Sequence, residues 1–206
     1  MSATTAADIA LALLVAFSVL GFGWRSWLQH RRTGSAGFRG INGRFGSPEW
    51  LAGVGFVVAL LVSVTAPILQ RLNLVEPIAI LRAIWIQIAG ILIAVAGIVV
   101  TVSAQLAMGD SWRIGVDEEE TTALVHTGLF GWVRNPIYTA MLAFSLGISL
   151  VTPNLVAFAG FALLVTTIEL HVRLVEEPYL LRTHGDAYRA YTAKVGRFIP
   201  AVGLIR

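Results

Sequence analysis

The chain has 206 residues, of which 56% are hydrophobic and only 13% are charged. A soluble domain is usually about 45–50% apolar and about 25% charged, so this composition predicts an integral membrane protein. The chain contains no cysteine, which excludes a thiol nucleophile, a cysteine-bound metal and a disulfide framework. Its net charge of +3 gives no reason to expect a nucleic-acid partner, because the basic residues lie beside the apolar segments.

Long uncharged segments predict an all-α protein with five transmembrane helices, because about 20 apolar residues cross a bilayer. The uncharged stretch from Asn135 to Ile168 is too long for one span, and the turn signal Thr152-Pro153-Asn154 divides it into a hairpin. The predicted spans are Ile9–Trp24 with its flanking residues, Trp50–Gln70, Ala83–Gly109, Pro136–Val151 and Asn154–Val172. The third is long enough for its last turns, around Gln105 and Met108, to help wall a site.

Lys and Arg predict the orientation of these spans. Thirteen of the 15 basic residues fall on one side, and only Arg71 and Arg82 fall on the other. The positive-inside rule therefore places the N-terminus outside the cell membrane and the C-terminus in the cytoplasm. The basic loop from Arg25 to Arg44 is interpreted as a cytoplasmic surface that touches anionic headgroups.

The polar stretch from His126 to Tyr138 is the most informative part of the sequence. Arg134-Asn135-Pro136 leads into the fourth span, with Asn135 as the expected N-cap and Pro136 in the first helical turn. The N-terminus of that helix favours a polar or anionic ligand. By the predicted topology this stretch and the C-terminal tail emerge on the same face, so they can form a joint site.

The tail that follows the fifth span is dense in polar and aromatic residues. It begins with Arg173 and the acid pair Glu176-Glu177. Asp186 is expected to cap a short helix over Ala187–Val195, which Gly196 ends. If the fifth helix continues, Arg173 and the acid pair share one face by their 3–4 spacing. The acidic run Asp117–Glu120 is interpreted as a solvated surface, because metal ligands converge from different elements.

Taken together, the two motifs resemble the isoprenylcysteine carboxyl methyltransferase family, and bacterial phospholipid N-methyltransferases share the pattern. The resemblance covers residues 105–200 and also includes Gly109-Asp-Ser-Trp-Arg-Ile-Gly115. Two departures are Asn135, where the family commonly has His, and Ala140, where it often has Gly. Residues 1–75 then form an N-terminal pair of helices with the basic loop, and residues 76–206 form the methyltransferase core.

The resemblance implies that S-adenosylmethionine is the methyl donor and that a cytoplasmic helical cap forms its site. The acceptor it implies is a lipophilic small molecule or a lipidated molecule that arrives from the bilayer. Methyl transfer needs no metal, and its main requirement is alignment of the nucleophile with the methyl carbon. The implied cofactor residues are Leu124, Val125, His126, Gly128, Phe130, Arg134, Asn135, Pro136, Tyr138, Glu176, Tyr188 and Arg197; the implied catalytic residues are Arg173 and Glu177, and the implied substrate residues are Trp112 and Arg113.

Three alternatives remain open on the sequence. A phospholipid amine acceptor would need a proton acceptor, for which His126, His171 and Glu177 are candidates. A membrane NADPH-dependent ene-reductase of the sterol-reductase type has a related Arg-(His/Asn)-Pro-x-Tyr element, usually followed by Gly and an acid, where this chain has Thr139-Ala140. A non-enzymatic scaffold fits poorly with the polar tail.

Overall fold

The computed structural model describes residues 1–36, 40–41, 43–109, 112 and 124–205. Six helices follow one another in this part of the chain when Ala3–Thr33, which contains a π-helical stretch over Ser18–Trp24, is counted as one: α1 (Ala3–Thr33), α2 (Pro48–Arg71), α3 (Ile84–Ala107), α4 (Pro136–Val151), α5 (Leu155–His171) and α6 (Glu177–Thr192). The described residues form no β-strand, and Val133 and Gly196 make an isolated parallel bridge. Arg113 and the acidic run 117–120 lie outside the described residues.

Four helices in the described part are long and apolar enough to cross a membrane. They are α1, α2, α3 and the continuous helix Leu155–Thr192, which joins α5 to α6. The remaining apolar helix, α4, has 16 residues and a length of about 24 Å at ~1.5 Å per residue. The all-helical membrane class is therefore confirmed. The fifth span stays a prediction, because α4 is shorter than a usual span.

The hairpin between α4 and α5 agrees with the turn signal in the sequence. Asn154 caps α5, since its Oδ1 accepts a hydrogen bond of 2.9 Å from the Ala157 backbone N–H. At the other end of α4, Pro136 occupies the first turn as predicted. The expected side-chain cap by Asn135 is wrong, because Asn135 makes no cap bond and its Nδ2 donates to the Arg197 carbonyl at 3.2 Å.

Small residues allow α3 and α4 to pack closely. A Cβ atom added to Gly147 would lie 2.6 Å from the backbone N of Ala94, so only glycine fits there. The first helix closes the bundle by stacking Phe17 on Phe144, with ring centroids 4.2 Å apart. Helix α2 packs mainly against α5. The polar residues at the ends of these helices are thereby held by an apolar core.

The tail helix begins earlier than predicted. A π-helical turn, Val172–Glu176, carries α5 directly into α6, and Pro178, which has no backbone N–H to donate, follows that turn inside the continuous helix. The prediction of a separate short helix over 187–195 is confirmed in part, because a second helical segment follows the non-helical Gly185, although it ends at Thr192 rather than at Val195. As its expected cap, Asp186 would accept from the backbone of that segment. Asp186 instead accepts a hydrogen bond from Arg189 at 2.7 Å. Gly185, with φ 52° and ψ −122°, kinks the helix next to the predicted start.

Candidate active site where the motif loop meets the tail

The motif loop, residues 124–135, lies against the C-terminal tail. A 3₁₀ turn over Gly128–Gly131 reverses the chain. The backbone N–H of Arg134 then donates to the Gly196 carbonyl at 2.8 Å, and that of Asn135 donates to the Arg197 carbonyl at 3.1 Å. Gly196 is needed for this approach, because a Cβ atom there would lie 2.1 Å from the Ile199 carbonyl oxygen. The joint arrangement predicted from topology is therefore present.

Arg134 is buried and donates hydrogen bonds to residues of the tail. Its side chain is 2% exposed, and its Nη2 donates to Glu177 Oε1 at 2.7 Å. The same nitrogen donates to the Gly203 carbonyl at 3.0 Å, and Nη1 donates to the Val195 carbonyl at 2.5 Å. Both terminal nitrogens thus have protein acceptors. The predicted pairing of Arg134 with a cofactor carboxylate would have to use its buried Nε, which has no partner in the described part of the chain, or replace one of these contacts.

Glu177 also pairs with a second guanidinium group, that of Arg197. Arg197 donates through Nε to Oε1 and through Nη2 to Oε2, both at 2.8 Å, which is a bidentate pair. Hydrogen bonding to Glu177 raises the pKa of Arg197 above its ordinary value, although burial acts in the opposite direction. A carboxylate held by two cations is stabilised in its charged form. Glu177 is therefore a poor candidate for the proton acceptor of an amine.

Arg173 does not contact the acid pair in the way its spacing predicts. The side chain is 56% exposed, and its Nε donates to Glu169 at 2.5 Å. The π-helical turn Val172–Glu176 explains the difference, because it changes the rotation per residue on which the 3–4 spacing rule depends. Glu169 also accepts from Arg197 at 3.1 Å. The missed residue Glu169 therefore links Arg173 to the buried cluster, and its only sequence signal was a charge four residues before Arg173.

Glu176 turns toward α4 instead. Its Oε1 accepts a hydrogen bond of 2.6 Å from the hydroxyl of Tyr138. His171 Nε2 lies 3.5 Å from the same oxygen, and its ring meets Tyr138 edge-on. The two adjacent acids thus have different partners. Glu177 holds the tail, and Glu176 ties the first turn of α4 to the end of α5.

Aromatic side chains cover the inner face of the motif loop. Phe130 and Tyr188 are buried, and the hydroxyl of Tyr191 donates to the Phe130 carbonyl at 2.5 Å. The outer positions of the loop, including His126 and Gly128, are exposed. His126 Nδ1 lies 3.1 Å from the Leu124 carbonyl oxygen, with its ring toward Tyr191. Of the predicted cofactor residues of this loop, Phe130 is therefore buried, Val125 is half-buried, and His126 and Gly128 are exposed.

Trp112, the predicted substrate residue, is buried against an arginine of α1. It is 2% exposed, and the guanidinium carbon of Arg25 lies 4.5 Å from its ring centroid. Arg25 is 1% exposed, so its interpretation as a headgroup contact is wrong. Arg25 covers one face of Trp112, the predicted substrate residue. Within the described residues, no three His, Asp or Glu side chains are grouped in a way that could hold a metal ion.

Comparison with known proteins gives a consistent assignment. A family model described as "Phospholipid methyltransferase" matches residues 85–187, which is half of the chain. The human protein-S-isoprenylcysteine O-methyltransferase is 26% identical over 120 residues, covering 57% of this chain and 42% of the human protein. Protein-S-isoprenylcysteine O-methyltransferase A of Arabidopsis thaliana is 27% identical over 120 residues, covering 57% of this chain and 61% of that protein.

The fold also matches a solved structure. The eukaryotic intramembrane Ras methyltransferase ICMT (isoprenylcysteine carboxyl methyltransferase) superimposes with a TM-score of 0.52 and 23% identity, over 78% of this chain and 55% of that one. The chain spans between two fifths and two thirds of the length of these curated relatives. The family match contains nearly all of α3, the motif loop, α4, α5 and the acid pair. The chain belongs to the phospholipid methyltransferase family.

Proposed function

We propose that this chain is an S-adenosylmethionine-dependent membrane methyltransferase that acts on the carboxylate of an isoprenyl-type or other lipid-like acceptor at the cytoplasmic face. The joint between the motif loop and the tail carries the proposal, because it places a carboxylate, aromatic walls and guanidinium groups at the end of apolar helices. A carboxylate acceptor is already ionised, so methyl transfer to its oxygen needs no general base. The acceptor oxygen forms the new bond to the methyl carbon as the carbon–sulfur bond breaks.

The side chains at this joint suit the chemistry of the cofactor. Its ammonium and ribose hydroxyls need acceptors, and Glu176 is a carboxylate beside Tyr138. Its adenine needs an apolar wall, and Phe130 and Tyr188 provide buried aromatic surface. Arg134 and Arg197 add positive charge near the place where a carboxylate would bind. In this proposal, Glu177 keeps the two arginines at fixed positions.

Arg173 is the proposed group that orients the acceptor carboxylate. More than half of its side chain is exposed, and its contact with Glu169 lies at the surface. An ion pair of this kind contributes about 0–1 kcal/mol, so an incoming carboxylate can compete for the guanidinium. Arg173→Ala should therefore lower kcat by about 100-fold, or about 2.7 kcal/mol, and leave the melting temperature nearly unchanged. Arg189→Ala removes another arginine that is more than half exposed from its Asp186 pair and is the matched control.

A phospholipid amine is the second candidate acceptor. It is favoured by the description of the family model and by the place of His171, 3.5 Å from the Glu176 carboxylate. A carboxylate in that position can orient an imidazole that takes up the proton of an amine. His126 lies on the exposed side of the loop, and Glu177 is held by two arginines. Among the three proton acceptors suggested by the sequence, the structure therefore favours His171.

The test uses the full chain in lipid nanodiscs. Calorimetry should show binding of S-adenosylhomocysteine and no binding of NADPH. Labelled S-adenosylmethionine should then transfer its methyl group to N-acetyl-S-farnesylcysteine, with phosphatidylethanolamine nanodiscs as the second arm. Transfer to the lipid alone would replace the carboxylate assignment with the amine. Binding of NADPH without S-adenosylhomocysteine would overturn the proposal in favour of the reductase.

The proposed topology has five spans, with the N-terminus outside and the site in the cytoplasm of the cell membrane. Cysteine labelling suits a chain without native thiols. Asn154 is fully buried, so the label belongs at its neighbour Leu155, which is 78% exposed. Leu155→Cys should react with an impermeant maleimide from outside, and the exposed Arg31→Cys should react only from the cytoplasm. The reverse pattern would invert the orientation.

A further inference from the structure

The interface between α1 and α3 contains buried polar groups that the proposed chemistry does not use. Arg25 donates from Nη1 to Gln29 Oε1 at 2.9 Å and from Nη2 to the Gly109 carbonyl at 2.6 Å. Gln105 donates from Nε2 to the Gly21 carbonyl at 2.9 Å. Arg25, Gln29 and Gln105 are each at most 3% exposed. Such groups inside a membrane bundle are costly and are associated with function more often than with packing.

Two oxygen atoms at this interface have no hydrogen-bond partner in the described part of the chain. They are Oε1 of Gln105 and Oγ1 of Thr101, and both atoms are fully buried. The residues lie four positions apart on α3 and so share one face. Gly21 marks that face, because Gln105 binds its carbonyl and a Cβ atom on Gly21 would lie 3.8 Å from the Thr101 methyl. A buried polar atom left without a partner costs about 1–3 kcal/mol.

The chemistry of these atoms defines what they can bind. The bond from Nε2 of Gln105 to the Gly21 carbonyl fixes the orientation of the amide. Its Oε1 can then only accept a hydrogen bond. The Thr101 hydroxyl can accept or donate. The group that satisfies both is therefore a donor such as an N–H. A backbone π-helical stretch, Ser18–Trp24, borders the same place, and π-helical turns occur often at functional sites.

This interface is connected to the candidate active site. Helix α3 contacts the motif turn Gly128–Gly131. Phe22, from the π-helical stretch of α1, and Tyr138 both pack against the same buried apolar cluster, which contains Phe17 and Phe144. Tyr138 in turn binds Glu176. The ionic groups of the tail belong to α5, α6 and the residues that follow them, whereas this interface is formed by α1 and α3.

We propose that Thr101 and Gln105 bind an N–H group of the lipophilic acceptor and that Arg25 positions them. This inference rests on the proposed function, because it assigns the acceptor side of the same site. Arg25 acts by fixing the end of α3 through the Gly109 carbonyl and by covering Trp112. An acceptor of the isoprenylcysteine type carries an amide N–H beside its carboxylate, which is the donor that Gln105 lacks.

The experiment compares two acceptors that differ in that N–H. N-acetyl-S-farnesylcysteine has the amide, and S-farnesyl-3-mercaptopropionic acid lacks it. Gln105→Met and Thr101→Val keep the side-chain volume and remove the polar atoms. We expect each to raise KM for the amide acceptor about 10-fold, to change KM for the second acceptor less than 2-fold, and to leave S-adenosylhomocysteine binding unchanged. A 10-fold ratio corresponds to about 1.4 kcal/mol.

Gln70→Met is the matched control. Gln70 is 1% exposed on α2, but its amide binds both the Ala3 carbonyl and the Asn154 side chain. The control should lower the melting temperature and leave both KM values unchanged. Equal rises in KM for the two acceptors at Gln105→Met, or no rise at all, would overturn the inference. A wild-type protein that binds no S-adenosylhomocysteine and methylates neither acceptor would instead overturn the proposed function.

Arg25→Lys and Arg25→Met test the positioning role. Lysine keeps the positive charge but lacks the planar guanidinium group. Both variants should therefore weaken binding of the amide acceptor, and Arg25→Lys should retain part of the selectivity for the amide. Arg31→Met is the control, because Arg31 stacks on Trp27 at 4.8 Å in the same way but is exposed. Selectivity for the amide that survives intact in Arg25→Met would contradict the positioning role. Loss of S-adenosylhomocysteine binding in Arg25→Met would contradict it as well.

Discussion

Two buried polar networks occupy opposite ends of this helical bundle, and they are built from different chemistry. At the end where α2 finishes and α4 turns into α5, neutral amides meet: Asn154 Nδ2 donates to Gln70 Oε1 at 3.1 Å. At the other end, Glu177 is enclosed by Arg134 and Arg197. The neutral network joins helices directly. The ionic network joins the motif loop to the start of α6 and to the segment that follows that helix.

The difference between the neutral and the ionic network suggests different roles, stability for the first and function for the second. Neutral amides with satisfied hydrogen bonds contribute about 1 kcal/mol each and carry a small penalty for burial. Buried charges cost several kcal/mol to desolvate, and hydrophobic replacements are often at least as stable. An ionic cluster kept at the site despite that cost is better explained by the charges it presents and positions than by stability. The neutral network needs no such explanation, because it caps and joins α2 and α5.

The largest expected effect is at Glu177. Glu177→Gln leaves two buried guanidinium groups without an anion, and breaking a buried pair typically costs about 3–5 kcal/mol. We expect methyl transfer to fall by at least about 100-fold, through weaker binding of S-adenosylmethionine, together with a lower melting temperature. Steady-state kinetics, calorimetry with S-adenosylhomocysteine and thermal unfolding in nanodiscs measure the three quantities.

Asp186→Asn is the control for that substitution. Asp186 carries the same charge on the same helix, but its side chain is 94% exposed and pairs only with the exposed Arg189 in the described contacts. Rates should change less than about 2-fold, as expected for a solvated pair. Equal losses in the two variants would remove the distinction between the buried cluster and an ordinary charged surface.

Asn154→Ala tests the neutral network. It removes the cap of α5, worth about 1 kcal/mol, and leaves Gln70 Oε1 without its donor. We expect stability to fall by about 2–4 kcal/mol in total, with kcat and KM for both ligands within 2-fold of wild type. A clear change in kinetic constants at unchanged stability would show that the two ends of the bundle are coupled.

The smallest effect is expected at the hydrogen bond between Tyr138 and Glu176. Tyr138→Phe removes the hydroxyl and keeps the ring, so the loss should be about 10-fold in cofactor affinity, near 1.4 kcal/mol. Glu176→Gln should cost more, because it also removes a charge. The double variant should lose less than the sum of the two, since both act on one contact. Additive losses would mean that Tyr138 and Glu176 act independently.

Several structural features followed from local signals in the sequence. The α4–α5 hairpin follows from one Pro-Asn turn in an uncharged stretch, and the start of α4 follows from Pro136, because both depend on the backbone of a few residues. The proximity of the motif loop to the tail followed from the parity of the spans. The cap by Asn135 failed, because a backbone carbonyl from 62 residues later competes for its side chain.

The sequence by itself determined the membrane class, the positions of the apolar helices and the family motifs, since these depend on composition and spacing along the chain. Only the tertiary structure decided which charges pair. The π-helical turn Val172–Glu176 rotates Arg173 away from Glu177, and Glu177 forms its ion pairs with Arg134 and Arg197 instead. Likewise, a basic residue beside an apolar run looks like a headgroup contact, yet Arg25 is buried against Trp112. Partners of this kind come from distant segments, so packing and not local periodicity selects them.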